Sequence, residues 1–255
     1  KTTVSARTAS ILQSKYGDVG YLIGGVLGDG SWSARLGSNE YFIVEADEYD
    51  SAFFDKRSKF IHYFPNILAI NNIEFDHADI FDDLTPILKQ FSHLLRTIPA
   101  NGQVVFHEND QTTKHLVDKE NWFDVYSIGN DKQFYYDETK NLFIFNGKEY
   151  DLDELPFFGE HNYKNALMAM CLAYLCDVPY EESFQALKNY SGVKRRLEVI
   201  FQGNTHLVYD DFAHHPTAIE AVSEAIKSKH ASKMIGIIEL ASNTMKSGRH
   251  GNTLI

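Results

Sequence analysis

The apolar run Tyr41-Phe42-Ile43-Val44 leads straight into Glu45-Ala46-Asp47-Glu48-Tyr49-Asp50, a cluster of four acids. In a parallel sheet, ligands sit beyond the carboxyl ends of the strands. Acids emerging there offer the hard oxygen donors that magnesium takes alongside phosphate oxygens; a solvated acidic loop has the same composition. A second run repeats the arrangement. Asn71-Asn72-Ile73-Glu74-Phe75-Asp76-His77-Ala78-Asp79 follows an apolar stretch, and His77 stands among carboxylates at the same expected sheet edge. The sequence opens on Lys1-Thr2-Thr3, and Lys-Thr is the pair that closes a phosphate loop, G-x-x-x-x-G-K-[ST]. There the lysine holds terminal phosphates and the hydroxyl binds magnesium. The loop's glycines are not in this sequence, and a solvated lysine–threonine pair is the plainer reading.

Three further groups could recognise a nucleotide. Gly159-Glu160-His161-Asn162-Tyr163-Lys164-Asn165 opens an apolar, helix-like run. Asn162 and Asn165 share a face of its first turn. Two amides and an imidazole there could read an adenine edge and stack on its ring, or Asn162 could simply cap the helix. Arg195-Arg196 could clamp a transferring phosphate in the manner of an arginine finger, or form a surface ion pair of little worth. In Asp210-Asp211-Phe212-Ala213-His214-His215-Pro216, the proline suits a first helical turn. Asp211 could accept from a ribose hydroxyl or cap that helix.

Apolar runs alternating with helix-period segments predict an α/β fold that would carry these groups. Strands are expected at 21–27, 41–45, 66–71, 103–107 and 124–128, and helices at 3–15, 84–97 and 162–175. Residues 134–136 and 142–145, with a turn at Asn146-Gly147, predict a small antiparallel ribbon. A second unit is expected beyond Gly192: strand 205–210, helix 216–227 and strand 234–240, joined by a right-handed crossover. The expected domains are therefore 1–192 and 193–255, the second short for an α/β domain. Both ends read as cuts through a longer protein.

Bulk properties narrow the partners. With 24 basic and 35 acidic residues the net charge is −11, which argues against a nucleic-acid binder needing a basic footprint. A nucleotide remains compatible, because a few cations and backbone amides suffice. Cys171 and Cys176 fit no common zinc or redox spacing and read as buried reduced thiols. No apolar stretch nears the roughly 20 residues of a membrane span, and no signal peptide is evident. The cytoplasm is the expected compartment, with no membrane partner and no obligate protein partner.

Taken in order, Lys-Thr-Thr, Glu-Ala-Asp-Glu, Asn-x-Glu-x-Asp-His, Gly-x-His-Asn-x-x-Asn, Arg-Arg and Asp-Asp-x-x-His-His-Pro resemble the Mur ligase family over nearly the whole chain. The last element is similar to the branch that acts on UDP-N-acetylmuramate. Phe53-Phe54-Asp55-Lys56-Arg57-Ser58-Lys59-Phe60 and Ser242-Asn243-Thr244-Met245-Lys246 resemble the branch that attaches the murein tripeptide, L-alanyl-γ-D-glutamyl-meso-diaminopimelate, in peptidoglycan recycling. This resemblance implies a P-loop-type, mostly parallel sheet flanked by helices, followed by the start of a second Rossmann-like α/β domain. It implies ATP and Mg2+ as cofactors, and an acyl phosphate that an amine converts to an amide. Lys1, Thr2 and Thr3 would belong to the ATP phosphate site, with Thr2, Glu45 and His77 on magnesium. His161, Asn162 and Asn165 would lie beside the adenine, Arg196 at the γ-phosphate and Asp211 at the ribose. His214, His215, Asn243, Thr244 and Lys246 would face the other substrates. Ser92 stands where some members carry a carbamylated lysine, so no carbamate is expected. The alternatives are an L-alanine-adding ligase of the same family, a non-catalytic nucleotide-binding module, and a plain NTPase or kinase.

Overall fold

The computed structural model describes residues 1–73, 83–120, 122–129, 134–230 and 232–239. Helix α1 (Thr2–Tyr16) turns Val4, Thr8, Ile11 and Leu12 into the core, the i, i+4, i+7, i+8 stripe of an amphipathic helix, and stops at Gly17. Strand β1 (Gly20–Leu22) then pairs antiparallel with β2 (Ala34–Arg35) and parallel with β3 (Phe42–Val44). A hairpin, β4 (Asp50–Ala52) and β5 (Asp55–Ser58), follows the acidic cluster and lifts Phe53 and Phe54 into solvent, each 92% exposed.

Strand β6 (Ile67–Ile70), helix α2 (Leu84–Leu95), strand β7 (Gln103–His107), helix α3 (Gln111–Asp118) and strand β8 (Asp124–Ile128) make the parallel layer, in the order β6-β7-β8. Registers run from Ile67 opposite Gln103 and from Gln103 opposite Asp124, so all three strands end at one edge. Val104, Val105 and Phe106 are buried, as a central strand covered on both faces requires. Both helices start on aspartate caps: Asp83 accepts from Thr85 N at 2.7 Å and Asp110 from Thr113 N at 3.0 Å.

The expected ribbon forms as β9 (Phe134–Asp137), β10 (Leu142–Phe145) and β11 (Lys148–Asp151), in antiparallel order β11-β10-β9. Helix α4 (Glu160–Tyr174) buries Ala166 through Cys171 almost completely, consistent with a helix apolar on every side. It packs on α1 and β7, and α5 (Tyr180–Lys188) completes the bundle. Cys171 and Cys176 are free and buried, and burial pushes their thiols up to about 12 and about 11. They are inert as nucleophiles near neutral pH. Among the described residues, no helix is long and apolar enough to cross a membrane.

Beyond the joint, β12 (Glu198–Gln202) pairs antiparallel with β13 (Leu207–Asp210), and α6 (Pro216–Lys229) follows. The expected strand at 234–240 does not form over its described part, 234–239. That stretch has no ladder partner among the described residues, and Ile235 and Ile237 stand 79% and 97% exposed. Among the described residues the anticipated βαβ unit therefore shows a strand and a helix without the second strand, and the partner of β13 is the antiparallel β12. Strand 21–27 also contracts to Gly20–Leu22, because the chain leaves the ladder to form a glycine-rich loop. Helices α3 and α5 and the hairpin β4–β5 were not expected from periodicity.

Gly159 joins the two units. It caps α4 with φ 93° and ψ 139°, a conformation close to glycine-only, and a Cβ there would lie 2.5 Å from Ala225 Cβ on α6. Gly159→Ala is expected to destabilise the fold by about 2 kcal/mol or more. A clear drop in urea midpoint at constant slope would bear this out; an unchanged midpoint would refute it.

Candidate functional site

The site is built where β3 ends beside the head of α1. Glu45, the first residue past β3, is held by its backbone N–H donating to Leu22 O at 2.8 Å. Its carboxylate accepts from Thr2 Oγ1 at 2.8 Å and from Gly24 N at 2.7 Å. Lys1 Nζ pairs with Glu48 and lies 3.8 Å from Asp47 Oδ1, while Lys59 Nζ approaches Asp47 Oδ2 at 3.6 Å. The lysine, the threonine and the acidic strand end thus converge as anticipated. His77 lies outside the described residues. Asn71, just past β6, donates from Nδ2 to Asn165 Oδ1 at 2.9 Å, which ties that strand end to α4.

The loop after β1 carries this corner to residues 192–194. Val26 O accepts from Lys194 N, and Gly28 N donates to Gly192 O, both at 2.9 Å. Gly25 permits the approach: a Cβ would lie 2.5 Å from Thr2 Cγ2 and 2.9 Å from Val193 Cγ1. Between the joint, α1 and α4 opens a cleft of about 380 Å³, whose walls include Thr3, Arg7, Phe157, Asn162, Tyr190 and Arg196.

The arginine pair divides. Arg195 makes the expected surface ion pair, its Nε 3.3 Å from Asp210 Oδ2, whereas Arg196 lines the cleft. Both guanidinium groups lie over the Phe212 ring, at 5.1 Å and 5.5 Å. Arg195 and Leu197 take positive φ, 58° and 50°, in the tight turn that aims Arg196. Asp211 holds that turn, accepting from Leu197 N and Ala213 N at 2.7 Å each. It does not cap α6, whose N-cap is His215. His214 Nδ1 lies 2.8 Å from Phe212 O, so His214 and His215 flank the same turn. Asn243, Thr244 and Lys246 lie outside the described residues.

On α4, Asn162 is not the helix cap either; Gly159 is. Asn162 is buried, donates from Nδ2 to Phe158 O at 3.1 Å, and accepts at Oδ1 from Arg7 Nη2 at 3.1 Å. Burial pushes the pKa of His161 down, opposed by Asp211 and reinforced by Arg7, so the ring is neutral and suited to stacking. Its buried Nδ1 has no hydrogen-bond partner.

The cleft residue that the motifs do not single out is Arg7. Its one signal was a cation inside the apolar stripe of α1, between Val4 and Ile11. Among the described residues, no three His, Cys, Asp or Glu side chains cluster as a metal site. The donor set that does exist, the Thr2 hydroxyl and the Glu45 carboxylate, is all oxygen and suits magnesium completed by phosphate oxygens.

Comparison with known proteins bears on this arrangement. Residues 1–173 match the Mur ligase middle domain. The chain is 43% identical to the UDP-N-acetylmuramate–L-alanyl-γ-D-glutamyl-meso-2,6-diaminoheptandioate ligase of Haemophilus influenzae, over 98% of this chain and 57% of that protein. It is 32% identical to the UDP-N-acetylmuramate–L-alanine ligase of Desulforamulus reducens, over 94% of this chain and 52% of that one. The crystal structure of a murein peptide ligase from Psychrobacter arcticus superposes with a TM-score of 0.71 at 32% identity, covering 96% of this chain and 57% of its own. The chain therefore spans a little over half the length of the curated relatives it matches.

One histidine at the carboxyl edge of the sheet gives a pH prediction. Burial pushes His107, at the end of β7, down to about 4, with Lys164 adding to the effect and Asp110 opposing it. Between its ordinary value of 6.5 and about 4 the unfolded chain binds a proton that the folded chain refuses. Stability is then present above pH 6.5 and is lost as the pH falls toward 4, by on the order of 3 kcal/mol. Urea unfolding at several pH values should show this loss, and His107→Gln should flatten it. An equally steep loss in the variant would assign it to other groups.

Proposed function

The chain belongs to the Mur ligase family, and on that premise we propose that it carries the nucleotide site of an ATP-dependent amide ligase, joining L-alanyl-γ-D-glutamyl-meso-diaminopimelate to UDP-N-acetylmuramate. The observation behind this reading is the meeting of Lys1, Thr2 and Glu45 at the head of α1, with a cleft running on past Arg196 to Asn162. The greater identity to the tripeptide-adding relative, 43% against 32%, supports the tripeptide over free L-alanine. Residues 1–192 are proposed as the central ATP-binding domain and 193–255 as the start of the carboxyl-terminal one. Both anionic substrates, ATP and a UDP-sugar, accord with a cytoplasmic location.

In this reading a muramyl carboxylate oxygen bonds to the γ-phosphorus of ATP as the β–γ bridging bond breaks, giving an acyl phosphate and ADP. The tripeptide's amine then adds to the acyl carbon, the tetrahedral intermediate expels phosphate, and the amine loses a proton. Carboxylate and triphosphate repel one another, so cations at fixed positions lower the barrier most where negative charge gathers. Lys1 and Arg196 are proposed for that role. A magnesium ion, held by Thr2 and Glu45 with His77 as a further ligand, would neutralise phosphate charge. His161, Asn162 and Asn165 would hold the adenine, and Asp211 the ribose. His214, His215, Asn243, Thr244 and Lys246 would serve the remaining substrates. Fixing the reactants in line supplies much of such an acceleration, about 7–11 kcal/mol in well-oriented systems.

The full-length protein should release phosphate faster with the tripeptide than with L-alanine; the reverse order would move it to the L-alanine-adding branch. Glu45→Ala should lower turnover at least about 100-fold, as removal of a preorganised electrostatic group does. Unchanged ligation would leave Glu45 outside the chemistry and favour a non-catalytic module. ATP hydrolysis at full rate with neither muramyl substrate nor peptide would indicate a plain NTPase.

A further inference from the structure

Arg7 is a full cation placed deep in the wall of the cleft. Its side chain is only 2% exposed, and its guanidinium lies 3.7 Å from the centre of the Phe157 ring and 5.6 Å from that of Tyr190. Among the described residues no carboxylate forms an ion pair or hydrogen bond with it. Its hydrogen bonds go instead to one residue, from Nη1 to Asn162 O at 2.5 Å and from Nη2 to Asn162 Oδ1 at 3.1 Å, and Nε has no partner. Desolvation lowers its pKa to about 10, so it stays charged near neutral pH while buried without a counter-ion. Such a burial is costly, and the hydrogen bonds to Asn162 and the face of the Phe157 ring offset part of the lost hydration.

We infer that Arg7 is a positioning residue for base recognition, fixing the orientation of the Asn162 amide at the floor of the nucleotide cleft. The inference rests on the nucleotide reading proposed above. An asparagine amide can flip, exchanging its donor for its acceptor. Here both ends are tied: Oδ1 accepts from Arg7, and Nδ2 donates to Phe158 O. One N–H and one lone pair remain. A donor and an acceptor held in known places match the N6 donor and N7 acceptor of adenine, whereas guanine presents two acceptors, O6 and N7. Arg7 also sits five residues after Thr2 on a rigid helix, about 7.5 Å along its axis at ~1.5 Å per residue. The helix whose head meets the acidic strand end thereby holds the base-side amide as well, at a set distance.

The test uses the full-length protein, with magnesium, titrated with ADP and with GDP, which share their phosphates and differ in the base. The unsubstituted chain should prefer ADP by at least about tenfold. Arg7→Met, which fills the space without donors, should reduce that preference to about twofold or less. Arg7→Lys, which retains one donor group and the charge, should lie between. In the Asn162→Ala background, Arg7→Lys should change the ratio no further. A variant that merely loosens the fold would weaken both nucleotides together and leave the ratio unaltered, which would overturn the inference, as would an equal loss of preference with and without Asn162. Should Arg7→Met fail to fold, the Arg7→Lys series gives the same ratio. Absence of ADP binding by the unsubstituted chain would instead overturn the nucleotide reading, and the inference with it.

Discussion

The hydrogen bond from Thr2 to Glu45 joins segments 43 residues apart and sets the position of nearly everything else in the candidate site. It requires that β3 end at the level where α1 begins, and the parallel pairing of β1 with β3 supplies that level. Glu45 accepts on its other oxygen from Gly24, so the same carboxylate also fixes the first turn of the loop after β1. That loop bonds to residues 192–194, and the tight turn that aims Arg196 follows directly. One acidic side chain at a strand end therefore constrains the head of a helix and, through the loop, the joint to the second unit.

On the α4 side of the joint, Gly159 lies against Ala225, and the Phe158 ring meets Tyr209 at 5.8 Å, His230 at 6.1 Å and the Lys229 ammonium at 5.8 Å. From the loop side the contact is backbone hydrogen bonding around Val193. Such a joint is held by directional bonds over short spans of chain. The cleft lies along it, so residues from both units, Asn162 from one and Arg196 from the other, face the same space.

Much of this was legible in the sequence where a local signal was strong. Strands β7 and β8 matched their expected bounds because each is an apolar run between polar turns, and α1 and α4 began and ended within two residues of expectation. The hairpin β4–β5 was not legible, since Asp50, Asp55, Lys56 and Arg57 break any alternation. The apolar run at 234–239 looked like a strand because residue type reports burial preference, whereas a strand also needs a neighbour to bond with. In the site, the order of motifs grouped Lys1, Thr2 and Glu45 through the family resemblance, and the structure places the three side by side. The roles of Asn162 and Asp211 were less readable: both can cap helices, and only tertiary placement reveals that one is tied to Arg7 and the other to the arginine turn. Arg7 carried only a weak signal, because a cation in an apolar stripe does not show in sequence whether its guanidinium is buried or reaches solvent.

The acidic balance of the chain fits the proposed ligand better than its sign suggests. Around the head of α1, Lys1 and Lys59 face Glu45, Asp47 and Glu48, so the corner carries about one net negative charge when all are ionised. A bare triphosphate would be repelled there, and the ammonium of Lys1 is already held by Glu48 and Asp47. In the proposed reading, Glu45 would hold a divalent cation bound with the nucleotide, the sign of the corner would reverse, and the Lys1 ammonium would be freed for phosphate, so that charge would favour the metal complex over the free nucleotide. Further along, Lys194 and Arg196 bring two more cations to the cleft wall, while Arg7 is tied to Asn162 on the base side.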